Sequence, residues 1–470
     1  MNEETEKSEE TKKDEESRKP PGRTRRFLRY ALVGLALLLL PVLTAETALR
    51  LNYTGAPAPG THTRDRDALW LGHAWVDGRK TDKDVKALAH RLKDTGIRDL
   101  YVHAGPLEHD GTLPASAYPR ARWLISALHS AAPGIRVQAW LGDKLAGESP
   151  DGLHLERAAT RTAVVASARR ILAAGFEGAH FDLEPLHSGD QDYLSLLDDL
   201  RALTHAHHAL LSVAAHQIDP LPAFHSFWGA TTGHPKWWSQ AYFGQVARRV
   251  DQIAVMSYDT MQPLESLYGG YVAQQTSLAL EVTPDTTDLL MGLPFYHENR
   301  FGHWAHAETV PASVRGVRLG LSRTDADRTR FGVALYVDFA ATEGDWRAYR
   351  KDWVDDFPGM HSGGTMTGMH MYLVVAAWLA VALLVAAGLT SVVADWVPWP
   401  ARRRVVRPRL WGYGTLVTAL GLSLLLLLGP FEDAGIGGVA FFGYLALFLA
   451  GFIIQVRAQR PGRDATKTAS

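Results

Sequence analysis

The chain has 470 residues, a formal net charge of -1 and no cysteine. Its length exceeds one average domain and permits a large core, and its charge balance gives no reason to expect nucleic acid as a partner. The missing cysteine excludes disulfides, thiolate metal sites and cysteine nucleophiles.

Residues 1–26 are mostly Glu, Lys, Asp, Ser, Thr and Arg. They cannot build a core and read as a disordered cytoplasmic tail. Residues 27–48 are apolar apart from Arg29, Tyr30, a few Thr and Glu46. About 20 such residues cross a bilayer as a helix, and the basic cluster before them predicts a cytoplasmic N-terminus. A cleaved signal peptide is the rival reading; the long acidic leader and the lack of a small-x-small site argue against it.

Residues 49–67, rich in Gly, Pro and Thr, read as a linker. From 68 to 355 strand and helix patterns alternate. Strands are expected at 68–74, 100–104, 135–141, in the stretch 175–185, and at 210–215, 252–258, 288–294 and 332–339. Helices are expected at 81–95, 121–131, 154–174, 191–205, 237–249, 272–280 (weak) and 311–321. Eight strands over about 290 residues suit a (β/α)8 TIM barrel. A doubly wound open sheet is the fallback, weakened by the lack of a glycine-rich phosphate loop after the first strand.

A linker at 356–369 leads to apolar runs at 370–396, 410–429 and 437–456, each of spanning length. The 397–409 loop between the first two carries Arg402, Arg403, Arg404, Arg407 and Arg409, and the 457–470 tail carries Arg457, Arg460 and Arg463. Positive-inside counting makes both basic segments cytoplasmic. The expectation is a multi-pass plasma-membrane protein with four transmembrane helices, its barrel outside the cytoplasm, both termini inside and the lipid bilayer as a partner. No ionisable residue sits mid-span in the last three helices, so anchoring and packing explain them better than an ion path.

The chemistry concentrates in Gly175–Pro185, GFEGAHFDLEP. Alternate side chains of a strand face opposite ways. Ala179, Phe181 and Leu183 therefore share one face, and His180, Asp182 and Glu184 the other. A parallel strand buried on both faces would normally be apolar on each, and burying unpartnered charge is costly. Asp182 and Glu184 fall at the strand's C-terminal end, where the active sites of such barrels lie. Two carboxylates two residues apart can divide the labour of acid and charged partner, which is glycosidase logic.

This stretch resembles the DxxDxDxE signature of glycoside hydrolase family 18, the chitinase-like enzymes. Val255-Met256-Ser257-Tyr258-Asp259 is similar to the family's Met-x-Tyr-Asp strand end, and Met291-Gly292-Leu293-Pro294-Phe295-Tyr296 to its Gly-x-Pro-x-Tyr strand. The resemblance implies Glu184 as general acid and Asp182 as the carboxylate that orients the substrate's own acetamido group, the nucleophile of this substrate-assisted exception. It implies Tyr258 as a hydrogen-bond partner of that group, with Met256 and Asp259 lining the same floor. Departures are Glu177 for the first Asp, His180 for the second, Tyr336 for a Trp under the sugar, and Leu141-Gly142-Asp143 for Ser-x-Gly-Gly on the third strand. A histidine at 180 could still hydrogen-bond Asp182, and Tyr336 could still stack on a pyranose.

Other candidates are even between substrate contact and packing: Trp75 after the first strand, and Trp228, Trp237 and Trp238 in or beside the long insert after the fifth. Tyr296 is a further substrate-contact candidate, while His297, Glu298 and His303 fit a mixed polar loop equally well. His205, His207 and His208 read as a solvated helix end rather than a metal cluster. The expected partner is a glycan with N-acetylhexosamine units, with no metal or organic cofactor indicated. A catalytically weak, glycan-binding barrel is the alternative. A third possibility is a barrel that senses for a membrane-protein partner of the C-terminal helices.

Overall fold

The computed structural model describes residues 44–147, 150–300, 302–355, 368–398, 401–428 and 437–459. The expected N-terminal tail, the first apolar helix up to residue 43, most of the 356–369 linker, the turn at 429–436 and the end of the C-terminal tail lie outside the described residues. The chain divides into two compact units, Glu46–Thr365 and a second comprising Met1–Ala45 with Met366–Ser470.

The first unit holds eight barrel strands: β1 Asp67–Leu71, β2 Ile97–Pro106, β3 Arg136–Lys144, β4 Gly178–Glu184, β5 Leu210–Ala215, β6 Gln252–Val255, β7 Asp288–Pro294 and β8 Phe331–Tyr336. Each is parallel to its neighbours, and β8 closes on β1 through Ala334 opposite Ala68. Helices follow the strands: α1 Asp82–Leu92, α2 Ala121–Ala131, α3 Ala158–Ala173, α4 Gln191–Ala206, α5 Gln240–Ala247, α6 Glu265–Leu280, α7 Val310–Thr324 and α8 Glu343–Tyr349. This is the closed (β/α)8 barrel that the alternation predicts.

Strand alternation sorts two apolar layers. Leu71, Val102, Leu141, Phe181, Val213, Ile253, Met291 and Leu335 face outward and pack under the helices. Ala68, Trp70, Tyr101, Ala254, Leu290 and Ala334 face inward. On β4 the outward row is Ala179, Phe181 and Leu183, which leaves His180, Asp182 and Glu184 on the inward one.

Local chemistry explains where elements depart from expectation. The first strand stops at Leu71, and residues His73–Trp75 form a 3-10 turn. The helix expected from 237 begins only at Gln240. Trp237–Trp238 pair as a two-residue parallel strand with Gln217–Ile218, and Ser239 caps the helix by accepting from the Tyr242 N–H. The weak helix at 272–280 starts much earlier, at Glu265. Leu267 to Ala273 are buried without a break, so no polar face gives it a 3.6-residue period. Its Gly269-Gly270 pair, a breaker by propensity, is a contact surface: a Cβ on Gly270 would meet the Leu49 carbonyl at 1.8 Å, and Gly316 approaches the Gly269 carbonyl the same way.

The second unit contains helices Gly368–Ala394, Pro408–Leu428 and Gly437–Ala458. The backbones approach closely at Gly388 with Gly412 and at Gly414 with Gly451, and Gln455 Nε2 donates to Thr418 Oγ1 at 3.0 Å. Among the described residues, however, no helix is long and apolar enough to cross a membrane. This overturns the expected plasma-membrane, multi-pass placement with four spanning helices, an external barrel and cytoplasmic termini.

Candidate active site at the mouth of the barrel

The inward side chains stack in layers, and the lowest is polar and closed. Asp99, fully buried, accepts from Arg136 Nε and Nη2 at 2.9 and 2.6 Å. Gln138 Nε2 donates to Asp99 Oδ1 (2.9 Å) and Gln252 Oε1 (2.6 Å), and Gln252 Nε2 donates to Asp99 Oδ2 (2.8 Å). Ser212 Oγ donates to Gln138 Oε1 at 2.9 Å. Its only proton is then spent, so the 2.8 Å contact with His180 Nδ1 requires that nitrogen to be the donor. His180 Nε2 in turn accepts from Trp70 Nε1 at 3.1 Å, and its ring lies flat on Tyr101, with centroids 3.8 Å apart. Burial pushes the imidazole down to about 3, so the ring is neutral.

This corrects the sequence reading of residue 180. His180 is fully buried and its two nitrogens belong to Trp70 and Ser212. It cannot touch a substrate, and Asp182 finds its partner elsewhere. That partner is Trp140, whose Nε1 donates to Asp182 Oδ2 at 3.1 Å. Asp182 Oδ1 is shut off from solvent and has no hydrogen-bond partner. Burial raises the Asp182 carboxyl to about 6, against the opposing pull of the Trp140 bond.

Glu184 ends β4 with its side chain 45 % exposed and Oε1 3.9 Å from His216 Nε2. His216 uses Nε2 to accept from the Leu186 N–H at 3.1 Å, while its ring also bonds to the Lys236 backbone. Burial takes it down to about 4, so the approach to Glu184 is not an ion pair. Around the two carboxylates stands an aromatic wall. Tyr258 and Tyr336 stack at 5.2 Å, and Tyr296 meets both edge-on at 5.9 Å. Burial, with the negative charges of Asp182 and Glu184 adding to it, raises Tyr336 to about 12 and Tyr258 well above its usual value. Gly292 makes room for this wall, since a Cβ there would meet Tyr258 Cε1 at 2.8 Å.

Asp259, in the left-handed region at φ 56, anchors the wall. Its Oδ1 accepts from the Tyr296 hydroxyl at 2.6 Å and its Oδ2 from Arg300 Nη2 at 2.8 Å. Below it, Glu308 accepts from the backbone N–H groups of Asp259 and Thr260 at 2.7 and 2.9 Å, and from His303 Nδ1 at 3.1 Å. Asp259, His303 and Glu308 offer ligand atoms within 4.8 Å of one another. Burial disfavours charge on His303, but the two carboxylates outweigh it and raise the ring to about 9, which makes it a cation held between them. Both carboxylates are already occupied by N–H and O–H donors. The cluster is a charge-balanced brace for Tyr296 and the loop after β6.

The remaining expected residues separate. Met256 is half-buried at the end of β6, and its carbonyl accepts from Gln217 Nε2 at 2.9 Å. Trp75 is 4 % exposed and donates to Asp338 Oδ2 at 2.8 Å, a packing role that replaces the expected substrate contact. Trp228 lies in a helix of the insert, Phe224–Thr232, and packs edge-on against Trp237 at 5.2 Å. Among the described residues no ring contact joins it to Tyr258, Tyr296 or Tyr336. Trp140 and His216 were missed. Alternation could have found both: Gln138, Trp140 and Gly142 share the inward row of β3, and Ser212, Ala214 and His216 continue that of β5.

No family model matches the sequence, and no curated protein does either. Solved structures resemble it in outline at low identity. The spore cortex-lytic enzyme SleL of Bacillus megaterium is 12% identical, over 61% of this chain and 74% of that one, with a TM-score of 0.43. The Group IV chitinase of Ostrinia furnacalis is 14% identical over 61% and 98%, with a TM-score of 0.42. A chitinase of Chromobacterium violaceum is 13% identical over 61% and 98%, with a TM-score of 0.43.

Proposed function

We propose that the barrel is a glycosidase of glycoside hydrolase family 18 type, cleaving a glycan with N-acetylhexosamine units by a retaining, substrate-assisted route. The observation that carries this reading is Asp182 Oδ1, a buried acceptor with no partner beside Glu184 and under an aromatic wall. A buried unsatisfied acceptor costs about 1–3 kcal/mol, so a ligand that brings a donor to it gains that amount. The N–H of a 2-acetamido group is such a donor, and the tyrosine faces suit a pyranose.

In this reading the Glu184 carboxyl gives its proton to the glycosidic oxygen as the C1–O bond breaks. The acetamido oxygen attacks C1, its N–H held on Asp182 and its carbonyl on the Tyr258 hydroxyl. Water then attacks C1 from the vacated side and passes a proton to the Glu184 carboxylate, so the configuration is retained. With Oδ2 engaged by Trp140, Asp182 Oδ1 can accept the acetamido N–H only while the carboxyl is ionised, so kcat/KM should rise as pH passes upward through about 6.

Hydrolysis of N-acetylglucosamine oligomers and of purified cell-wall glycan by the full chain tests this, with Glu184→Gln alongside. Loss of a positioned general acid should lower kcat about 100-fold or more. A second reading, a barrel that binds such glycans without cleaving them, is favoured by the locked His180, which cannot exchange hydrogen bonds with Asp182. Equal binding by both forms with turnover by neither would select it.

A further inference from the structure

We propose that Trp140, and not residue 180, is the positioning residue that turns the Asp182 carboxylate toward Glu184 and leaves it one unpartnered oxygen, Oδ1. The proposal rests on the reading of Asp182 as a working carboxylate of this site. His180 has no capacity left, with one ring nitrogen accepting from Trp70 and the other donating to Ser212 inside a closed network. Trp140 sits opposite His180 on the neighbouring strand, one rung below Asp182. Its ring is held edge-on by His103 at 4.7 Å and by Tyr336 at 6.1 Å. Gly142 stands opposite Asp182, and a Cβ there would come within 3.1 Å of the Asp182 carbonyl, so a bare backbone suits this close approach.

An indole N–H can only donate. Asp182 Oδ2 must therefore accept in both ionisation states of the carboxyl. Any proton that Asp182 takes up goes to Oδ1, the oxygen with no partner. Protonation then turns the one open acceptor into a donor, at the atom that an amide N–H would need. The tether fixes the side chain's direction and also which oxygen titrates. Other titratable groups that act on this carboxyl come from several elements, Tyr193 on α4, Tyr258 after β6 and Tyr336 on β8, and Glu184 stands two residues on along its own strand.

The test follows Asp182 directly, in the full chain labelled with 13C at aspartate Cγ, its signal assigned by its loss in Asp182→Asn. Trp140→Phe keeps an aromatic ring and deletes the donor. A hydrogen bond worth about 0.5–1.5 kcal/mol should raise the Asp182 midpoint by roughly 0.5–1 pH unit when removed. The acid limb of kcat/KM should move by the same amount, while His180→Asn leaves both in place. An unmoved midpoint in Trp140→Phe, or an equal shift in His180→Asn, overturns the proposal. If Trp140→Phe does not fold, the indole 15N signal of Trp140 in the unsubstituted chain decides. It should step at the Asp182 midpoint and lose that step in Asp182→Asn; an indole signal blind to this pH range overturns the assignment. An inactive parent whose Asp182 midpoint still shifts in Trp140→Phe sinks the glycosidase reading and leaves the tether standing.

Discussion

Two storeys of one barrel interior differ in whether their polar groups are matched. In the lower storey Asp99, Gln138, Gln252, Ser212 and His180 satisfy one another in a chain of donors and acceptors, with Arg136 supplying the countercharge. In the upper storey Asp182 has one oxygen tethered by Trp140 and the other bare. The same inward alternation of β4 carries both, His180 into the first and Asp182 into the second. Burial acts on each in its own direction: it holds His180 neutral at about 3 and raises Asp182 to about 6. A matched buried network specifies a structure, and an unmatched one is an energetic debt that a ligand can settle.

If the lower storey is scaffold, breaking it should hit stability hardest. Asp99→Ala leaves the Arg136 guanidinium without its bidentate partner and two amide donors without an acceptor. Removing one member of a buried pair costs about 3–5 kcal/mol, largely the penalty of the charge left behind. The barrel's urea midpoint should drop accordingly. A loss under about 1 kcal/mol would mean that water reaches the base of the barrel and that the contrast between storeys is weaker than drawn.

The upper storey should respond with the opposite sign. Burial raises the Asp182 carboxyl in the folded chain to about 6, above its ordinary 3.8, so the folded chain binds this proton more tightly than the unfolded one. Stability from this group is therefore complete below about 4 and falls as pH rises to about 6, after which the cost is constant. That difference corresponds to roughly 2–3 kcal/mol. Asp182→Asn, neutral throughout and still able to accept from Trp140, should match the parent near pH 4 and exceed it by that amount at pH 7.5. Urea midpoints at the two pH values read this directly. Greater stability with abolished turnover would mark Asp182 as a residue retained for chemistry. A parent that gains on Asp182→Asn as pH rises would show that the carboxylate is better solvated than its geometry implies.

The barrel was legible in the sequence because strands buried on both faces still alternate, and Gly and Pro mark the turns between them. The carboxylate row on β4 was legible for the same reason: Asp182 and Glu184 break an apolar pattern. What stayed hidden depended on contacts between strands. A run such as Val137–Leu141 reveals that Trp140 points inward, but reaching Asp182 also needs the stagger that sets Trp140 opposite His180 and Gly142 opposite Asp182. His180 was misassigned because spacing along one strand cannot reveal that Trp70 and Ser212, 110 residues before it and 32 after, take both its nitrogens. Trp75 looked like a mouth residue until the 3-10 turn after β1 brought its indole onto Asp338. The runs after residue 368 form helices as their composition implies, but composition did not settle how those helices are used.

The smallest expected effect separates the storeys most finely. Ser212 ties His180 into the lower storey, accepting from His180 and donating to Gln138. Ser212→Ala deletes both bonds and leaves a buried imidazole N–H and an amide oxygen short of a partner. The cost should be about 1–2 kcal/mol in the urea midpoint, since a neutral buried group that loses its partner forfeits its desolvation energy. His180 has a second hydrogen bond from Trp70 and a stacked Tyr101 to keep its ring in place. The Asp182 midpoint and kcat/KM should therefore stay within about twofold of the parent, because Trp140 holds the carboxylate from β3. If Ser212→Ala instead moved the Asp182 midpoint while sparing stability, the influence of residue 180 would pass upward after all. The two storeys would then be a single network, with His180 acting on the carboxylate through the position of its ring.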